Sequence, residues 1–215
     1  MEIKAYARYF SDPNDSAIGY RTNTILQIGN SWDIIGAAFL INPGSAAPLK
    51  NALSNDTLSQ LTKISGERTD WFQFTVDQTM GWLVKIFNGG YIGAPKELNG
   101  VILLFNLFNL RNQDLDMALK QLGSHNHPYI FTTDKDIEAI SGVDKIYLGW
   151  GRLYNQELAA KAREIFDALD GKQKYYLNEV FDKNAFTHPR GAQLWHNRSK
   201  GVNDLLKRFD SQPIK

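Results

Sequence analysis

Val101-Ile-Leu-Leu-Phe105 is an unbroken apolar run, preceded by Asn99-Gly100 and closed by Asn106. A strand with one wet face alternates apolar and polar side chains. A short run that is apolar at every position fits a strand covered on both faces, as in a parallel sheet flanked by helices. Residues 145–148 read as a second such strand, ending in Gly149-Trp150-Gly151. Residues 36–41 form a third, with residues 24–28 before it across the turn Gly29-Asn30-Ser31. Between these runs the periodicity changes to that of helices. Residues 77–87 read as a helix with Asp77 as N-cap and Asn88-Gly89-Gly90 as its stop. Residues 155–169 place Leu158, Ala162, Ile165, Phe166 and Leu169 on one face, and Asp170-Gly171 ends the segment. A last helix covers residues 202–209. Strands alternating with helices specify an α/β fold, expected here as three layers, α/β/α, around a central and mostly parallel sheet.

Nothing in the 215 residues divides that fold. There is no linker-like or low-complexity stretch, and 43% hydrophobic content supports one substantial core, so a single domain over residues 1–215 is expected. No apolar run approaches the ~20 residues that span a bilayer. Residues 1–10 mix charges with aromatics and lack the apolar stretch of a secretion signal. A cytosolic protein without membrane association is the simple expectation. The absence of cysteine fits a reducing compartment and removes thiol nucleophiles, cysteine-ligated zinc and iron–sulfur clusters. A net charge of +1 gives no global attraction to polyanions, but the charge is unevenly spread. Arg190, Arg198, Lys200, Lys207 and Arg208 follow His188 with only Asp204 against them, a local basic end suited either to phosphates or to a solvated helix face.

Open α/β sheets bind ligands outside the carboxyl ends of their strands. Three strand ends here carry unusual polar residues: Asn42, Asn106 and Gly149-Trp150-Gly151. In Asn42-Pro43-Gly44 the proline fixes one φ and the glycine permits a positive one, so the chain turns sharply and holds the Asn amide on rigid backbone. Such triplets also serve as plain turns. Asn106 offers a donor and an acceptor, the pairing that reads a pyrimidine edge, and equally suits the capping of a loop. His188, held extended by Pro189, can project into a cleft and donate to an anionic leaving group; a surface-loop histidine looks the same. His125 and His127 have metal-pair spacing, but no acid or cysteine lies in register, so no metal site is expected. The sequence has no Gly-x-Ser-x-Gly elbow, Walker loop or dinucleotide fingerprint. Gly149-Trp-Gly-Arg152 before a helix start is an unspecific phosphate-cradle pattern.

Together these residues resemble the uracil-DNA glycosylase superfamily over about residues 36–196. Leu40-Ile-Asn-Pro-Gly-Ser45 is similar to the Asn-Pro-Gly motif of its mismatch-specific thymine/uracil branch. Asn99-Gly-Val-Ile-Leu-Leu-Phe-Asn106, continuing to Leu110-Arg111, resembles the strand whose terminal Asn reads uracil. Lys145-Ile-Tyr-Leu-Gly-Trp-Gly-Arg152 looks like the following strand and its end, and His188-Pro189 like the start of the leaving-group and intercalating loop. The chain also resembles a bacterial and phage family of unknown function through Asn42-Pro43, Asp77-Gln-Thr79, Asn106-Leu-Phe108 and His188-Pro-Arg190. It departs from the superfamily after His188-Pro189, where Arg190-Gly-Ala-Gln-Leu194 replaces a Ser-Pro start. Gln193 or Leu194 is then the expected wedge.

The resemblance implies the uracil-DNA-glycosylase-like form of the fold and a DNA glycosylase that hydrolyses the bond between sugar and a flipped pyrimidine. Flipping costs a few kcal/mol, recovered by stacking and edge hydrogen bonds. In this scheme Asn42 orients the water, His188 stabilises the departing base and Asn106 reads its edge. Phe72 or Phe74 stacks on it. Arg190, Gln193, Arg198 and Lys200 contact DNA. With no lysine among these positions, the expected enzyme is monofunctional, a monomer acting on DNA without cofactor or metal. Where uracil-specific relatives have a Tyr that blocks C5, this chain has Gly44 and then Ser45, which implies a base with a larger 5-substituent, such as thymine or a hypermodified phage cytosine, and an antiviral role. Two other readings stay open: an N-glycosidase acting on free nucleotides, and a catalytically silent nucleic-acid- or protein-binding module.

Overall fold

A computed structural model describes residues 2–122, 127–140, 142–169, 173–175 and 181–211. Among them lie seven strands, β1 (Ile3–Ser11), β2 (Gly19–Ile28), β3 (Ile34–Leu40), β4 (Trp71–Phe74), β5 (Gly100–Asn106), β6 (Lys145–Leu148) and β7 (Gln173–Tyr175). The helices are α1 (Asn55–Ser65), α2 (Gln78–Phe87), α3 (Leu115–Leu122), α4 (Asp134–Glu138), α5 (Gln156–Ala168), α6 (Pro189–Trp195) and α7 (Lys200–Asp210). The strands form one sheet in the order β4-β1-β2-β5-β3-β6-β7. The fold is therefore α/β, as the alternation of patterns implies.

The sheet is mixed. β5–β3, β3–β6 and β6–β7 pair in parallel, whereas β4–β1, β1–β2 and β2–β5 pair antiparallel. The mostly parallel character expected from the sequence thus holds for one half and fails for the other. β1 hid from the pattern because Arg8, only 7% exposed, interrupts its apolar positions. That guanidinium is neutralised by Glu67 (3.2 Å) and Asp70 (3.7 Å), which makes its burial tolerable.

Side chains alternate across the central strands, as strand geometry requires. Phe39, Leu103, Phe105, Ile146 and Leu148 join Leu61 of α1, Ala118 of α3 and Leu158, Ala162 and Ile165 of α5 in one apolar cluster. Leu40, Ile102, Leu104 and Tyr147 join Leu83 and Phe87 of α2, Ala192 of α6 and Phe209 of α7 in another. Helices thus cover both faces, which explains the absence of polar positions in residues 101–105. α2 lies so close that a Cβ on Gly36 would sit 2.5 Å from the Phe87 ring. The caps read in the sequence are used: Asp77 accepts from the Met80 N–H and Asn155 from the Leu158 N–H. The stop at Asp170-Gly171 lies outside the described residues. No described helix is long and apolar enough to cross a membrane.

Lys145 is buried in the second cluster, with its ammonium 4.1 Å from the centre of the Phe209 ring. Burial pushes its pKa down to about 8, with nearby Asp210 opposing the shift and Lys96 adding to it. Between about pH 8 and the ordinary lysine value the unfolded chain still binds a proton that the folded chain has released. Folding stability should therefore rise with pH across that window, by on the order of 2–3 kcal/mol. Urea unfolding of the wild type and of Lys145→Met across this range checks it, because the variant should lose the rise.

Candidate functional site

Register brings the polar strand ends together. β3 lies between β5 and β6, with Leu40 beside Asn106 and Phe39 beside Leu148. The three parallel strands end at one edge, and backbone bonds continue past them: Leu107 N–H donates to the Leu40 carbonyl (2.9 Å) and Gly149 N–H to the Phe39 carbonyl (2.8 Å). β2 runs the other way, so its first residues, Tyr20 and Arg21, lie at the same edge. A cavity of about 520 Å³ opens there, within the roughly 300–1,000 Å³ of sites for small organic ligands.

Asn42, Gly44, Asn106, His188 and Arg190 all line this cavity. Asn42 donates through Nδ2 to the Asn112 carbonyl (3.1 Å), which fixes its amide and leaves Oδ1 as the acceptor still available. Gly44 has φ +67°, and a Cβ built on it would meet no atom within 4 Å, so this corner is open. Asn106 is 3% exposed, and its amide makes no hydrogen bond to the described residues. Its carbonyl accepts from the Thr132 hydroxyl.

His188 is the N-cap of α6, and its Nδ1 accepts from the Arg190 N–H (3.2 Å). The neutral ring therefore carries its proton on Nε2. The segment before it is anchored by the buried Tyr147 hydroxyl, which donates to the Thr187 carbonyl (2.5 Å). Burial pushes the His188 pKa down to about 4, with Asp77 opposing the shift and Arg190 adding to it. The site thus holds a neutral imidazole donor at physiological pH.

Several expected positions lie elsewhere. Neither Phe72 nor Phe74 lines the cavity. Among the described strands β4 pairs with β1 alone, at the far edge of the sheet, with an isolated bridge from Phe74 to Pro48. Phe74 is 2% exposed and lies under the Arg21 guanidinium, 4.6 Å from its ring centre. Phe72 meets Tyr9 edge-on. The aromatic residues on the cavity wall are Trp150, which is almost fully buried, and Tyr154, which is 81% exposed at the mouth. Ser45 is exposed and off the wall; its carbonyl accepts from Arg111 Nη2 (3.0 Å). Gln193 is also off the wall, its carbonyl paired with His196 Nδ1. Arg198 and Lys200 border a separate surface depression with His196, Asn203 and Lys207. His127 stacks on Tyr20, with ring centres 4.6 Å apart, and His125 lies outside the described residues.

The cavity also holds residues to which the sequence reading gave no site role. Arg21 is 2% exposed and donates through Nη2 to the Pro43 carbonyl, bracing the Asn42-Pro43-Gly44 turn from below. Its Nε and Nη1, like Trp150 Nε1, have no hydrogen-bond partner among the described residues. Burial lowers the Arg21 pKa, while the Tyr9 hydroxyl and Asp77 favour its charged form. Asp77 and Arg152 complete the charged set. Asp77 was legible as a helix cap, and Arg152 as the end of Gly149-Trp-Gly-Arg. Arg21 gave no signal, because its place depends on an antiparallel neighbour. Among the described residues no lysine lines the cavity.

No protein-family model, no curated protein and no solved structure matches this chain.

The His188 ring should titrate near pH 4 in an NMR experiment on the free protein, and Asp77→Asn should lower that value further. Because the unfolded chain takes up this proton near pH 6.5, the His188 contribution to stability is lost as pH falls from about 6.5 toward 4. A His188 that titrates near its ordinary value would contradict the neutral donor.

Proposed function

We propose that the protein is a monofunctional DNA glycosylase that hydrolyses the N-glycosidic bond of a flipped pyrimidine. The observation that carries this reading is the meeting of Asn42, Asn106 and His188 on one cavity of about 520 Å³. The proposed architecture is the three-layer form of the uracil-DNA glycosylase superfamily, supported by helices on both sheet faces and by a site at the carboxyl edge of β3, β5 and β6.

Cleavage builds positive charge on the sugar and negative charge on the base. A neutral His188, donating through Nε2, suits the base anion better than a ring whose proton must first be acquired. Asn106 supplies donor and acceptor for the ring edge. Asn42 Oδ1 orients the water. Tyr154 takes the stacking role first expected of Phe72 or Phe74, supported by its exposure at the mouth. Arg152 and Arg190, both exposed on the cavity wall, suit the flanking phosphates. The wedge is assigned to α6, where Leu194 and Trp195 are 48% and 51% exposed, two large apolar side chains in water just past His188.

The open corner at Gly44 supports a base with a bulky 5-substituent, such as thymine or a glucosylated 5-hydroxymethylcytosine of phage DNA, and with the latter an antiviral role. The protein is taken to act in the cytoplasm as a monomer, without a cofactor. Incubation with unmodified, uracil-containing and glucosyl-hydroxymethylcytosine duplexes, followed by quantitation of abasic sites, tests the reading. Abasic sites are expected in the modified duplex; none in any duplex overturns the enzymatic reading. Asn42→Ala should lose turnover, by roughly 10²-fold or more, with DNA binding kept.

A further inference from the structure

Asp77 has one oxygen committed and one available. Its Oδ1 accepts the Met80 N–H (2.9 Å) as the cap of α2, and Oδ2 has no hydrogen-bond partner among the described residues. Asp77 lines the cavity, where among the described residues it is the sole residue with a carboxylate. Asp77, Arg21 and His188 line the same cavity, and the Asp77 charge favours the protonated forms of the other two. The remaining charged groups on the wall are the guanidinium donors Arg21, Arg152 and Arg190. Against these donors stand Asp77 Oδ2 and Asn42 Oδ1, the latter left available because Nδ2 is held by the Asn112 carbonyl. A water bound between two such acceptors donates one hydrogen to each and turns its lone pair outward. An amide oxygen can hold that water but cannot keep its proton, whereas a carboxylate can.

We propose that Asp77 is the general base of this site, holding the attacking water jointly with Asn42 and accepting its proton. The inference rests on the glycosylase reading. The water oxygen bonds to C1′ as the C1′–N1 bond breaks. The electron pair of that bond leaves with the base, and the water proton passes to Asp77 Oδ2. The base anion is held by the Nε2–H of His188 until the proton reaches it through solvent, which restores the carboxylate. The products are an abasic site and the free base.

A purely structural Asp77, serving as helix cap and as counter-charge to Arg21, is separable by experiment. Asn caps helices as well as Asp does, so Asp77→Asn removes the charge and keeps the cap. Single-turnover excision is measured on the three duplexes above for wild type, Asp77→Asn and Asp77→Ala, the last with and without added formate. Affinity for an uncleavable 2′-fluoro duplex and melting temperature are recorded alongside. The expected result is a loss of roughly 10²–10⁴-fold in rate for Asp77→Asn with affinity and melting temperature kept, and partial recovery of Asp77→Ala by formate. Asp77→Asn turning over like the wild type overturns the proposal and leaves the glycosylase reading standing. Loss of affinity or of folding in step with the rate, or no rescue by formate, assigns Asp77 a structural role and also overturns it. A wild type that releases no base from any duplex overturns both.

Discussion

The candidate site depends on the register of one strand. β3 sits between β5 and β6, and its pairing sets Leu40 beside Asn106 and Phe39 beside Leu148. A slip of one residue would turn Phe39 and Leu40 to the opposite faces and carry Asn42 away from Asn106. Both faces are apolar and helix-covered, so that slip would expose neither face to water. It would instead force the Phe39 ring, stacked on Phe105 at 5.3 Å, into the side that Leu40 fills. Side-chain volume thus fixes the register, and the register fixes the site.

Around that frame the cavity combines two kinds of polar group. Arg21 is buried, pinned by the Pro43 carbonyl above and the Phe74 ring below. It supports the turn that carries Asn42 and gives the floor a fixed positive charge, which needs no solvent reorganisation when negative charge develops. His188 is held by a cap bond and by the anchored Thr187, so its donor is oriented before any ligand arrives. The carboxylate of Asp77 stands alone among these donors on the described wall. The balance of three guanidinium groups against one carboxylate favours an acceptor-rich ligand.

Three of the four strands of the parallel half, β3, β5 and β6, were legible in the sequence because burial on both faces leaves a short apolar run, whereas β7 was not read. Val101-Ile-Leu-Leu-Phe105 and Lys145-Ile-Tyr-Leu148 mark β5 and β6 closely, and Asp77 and Asn155 mark helix starts. The antiparallel half was legible only in part. Residues 24–28 were read as a strand and lie within β2, while β1, β4 and the start of β2 were missed. Arg8 and Arg21 sit there inside stretches that are otherwise largely apolar or aromatic. Their burial is made tolerable by contacts distant in sequence, Glu67 and Asp70 for one, Pro43 and Phe74 for the other. The same blindness applied to Phe72 and Phe74, which were expected at the site and do not line the cavity. β4 joins the sheet at its outer edge, where Phe74 supports Arg21. Asn42, Asn106 and His188 were found because short-range rules position them: a strand end, a Pro-Gly turn and a residue before proline.

The central claim is that a flipped base is held between Asn106 and the neutral donor of His188. A crystal structure of the protein with a duplex carrying a 2′-fluoro, uncleavable form of the excised nucleotide tests it most directly. The account predicts the base inside the cavity, its edge on the Asn106 amide and its O2 about 2.6–3.2 Å from His188 Nε2. A base that stays stacked in the duplex, or enters with its O2 turned away from His188, would contradict it.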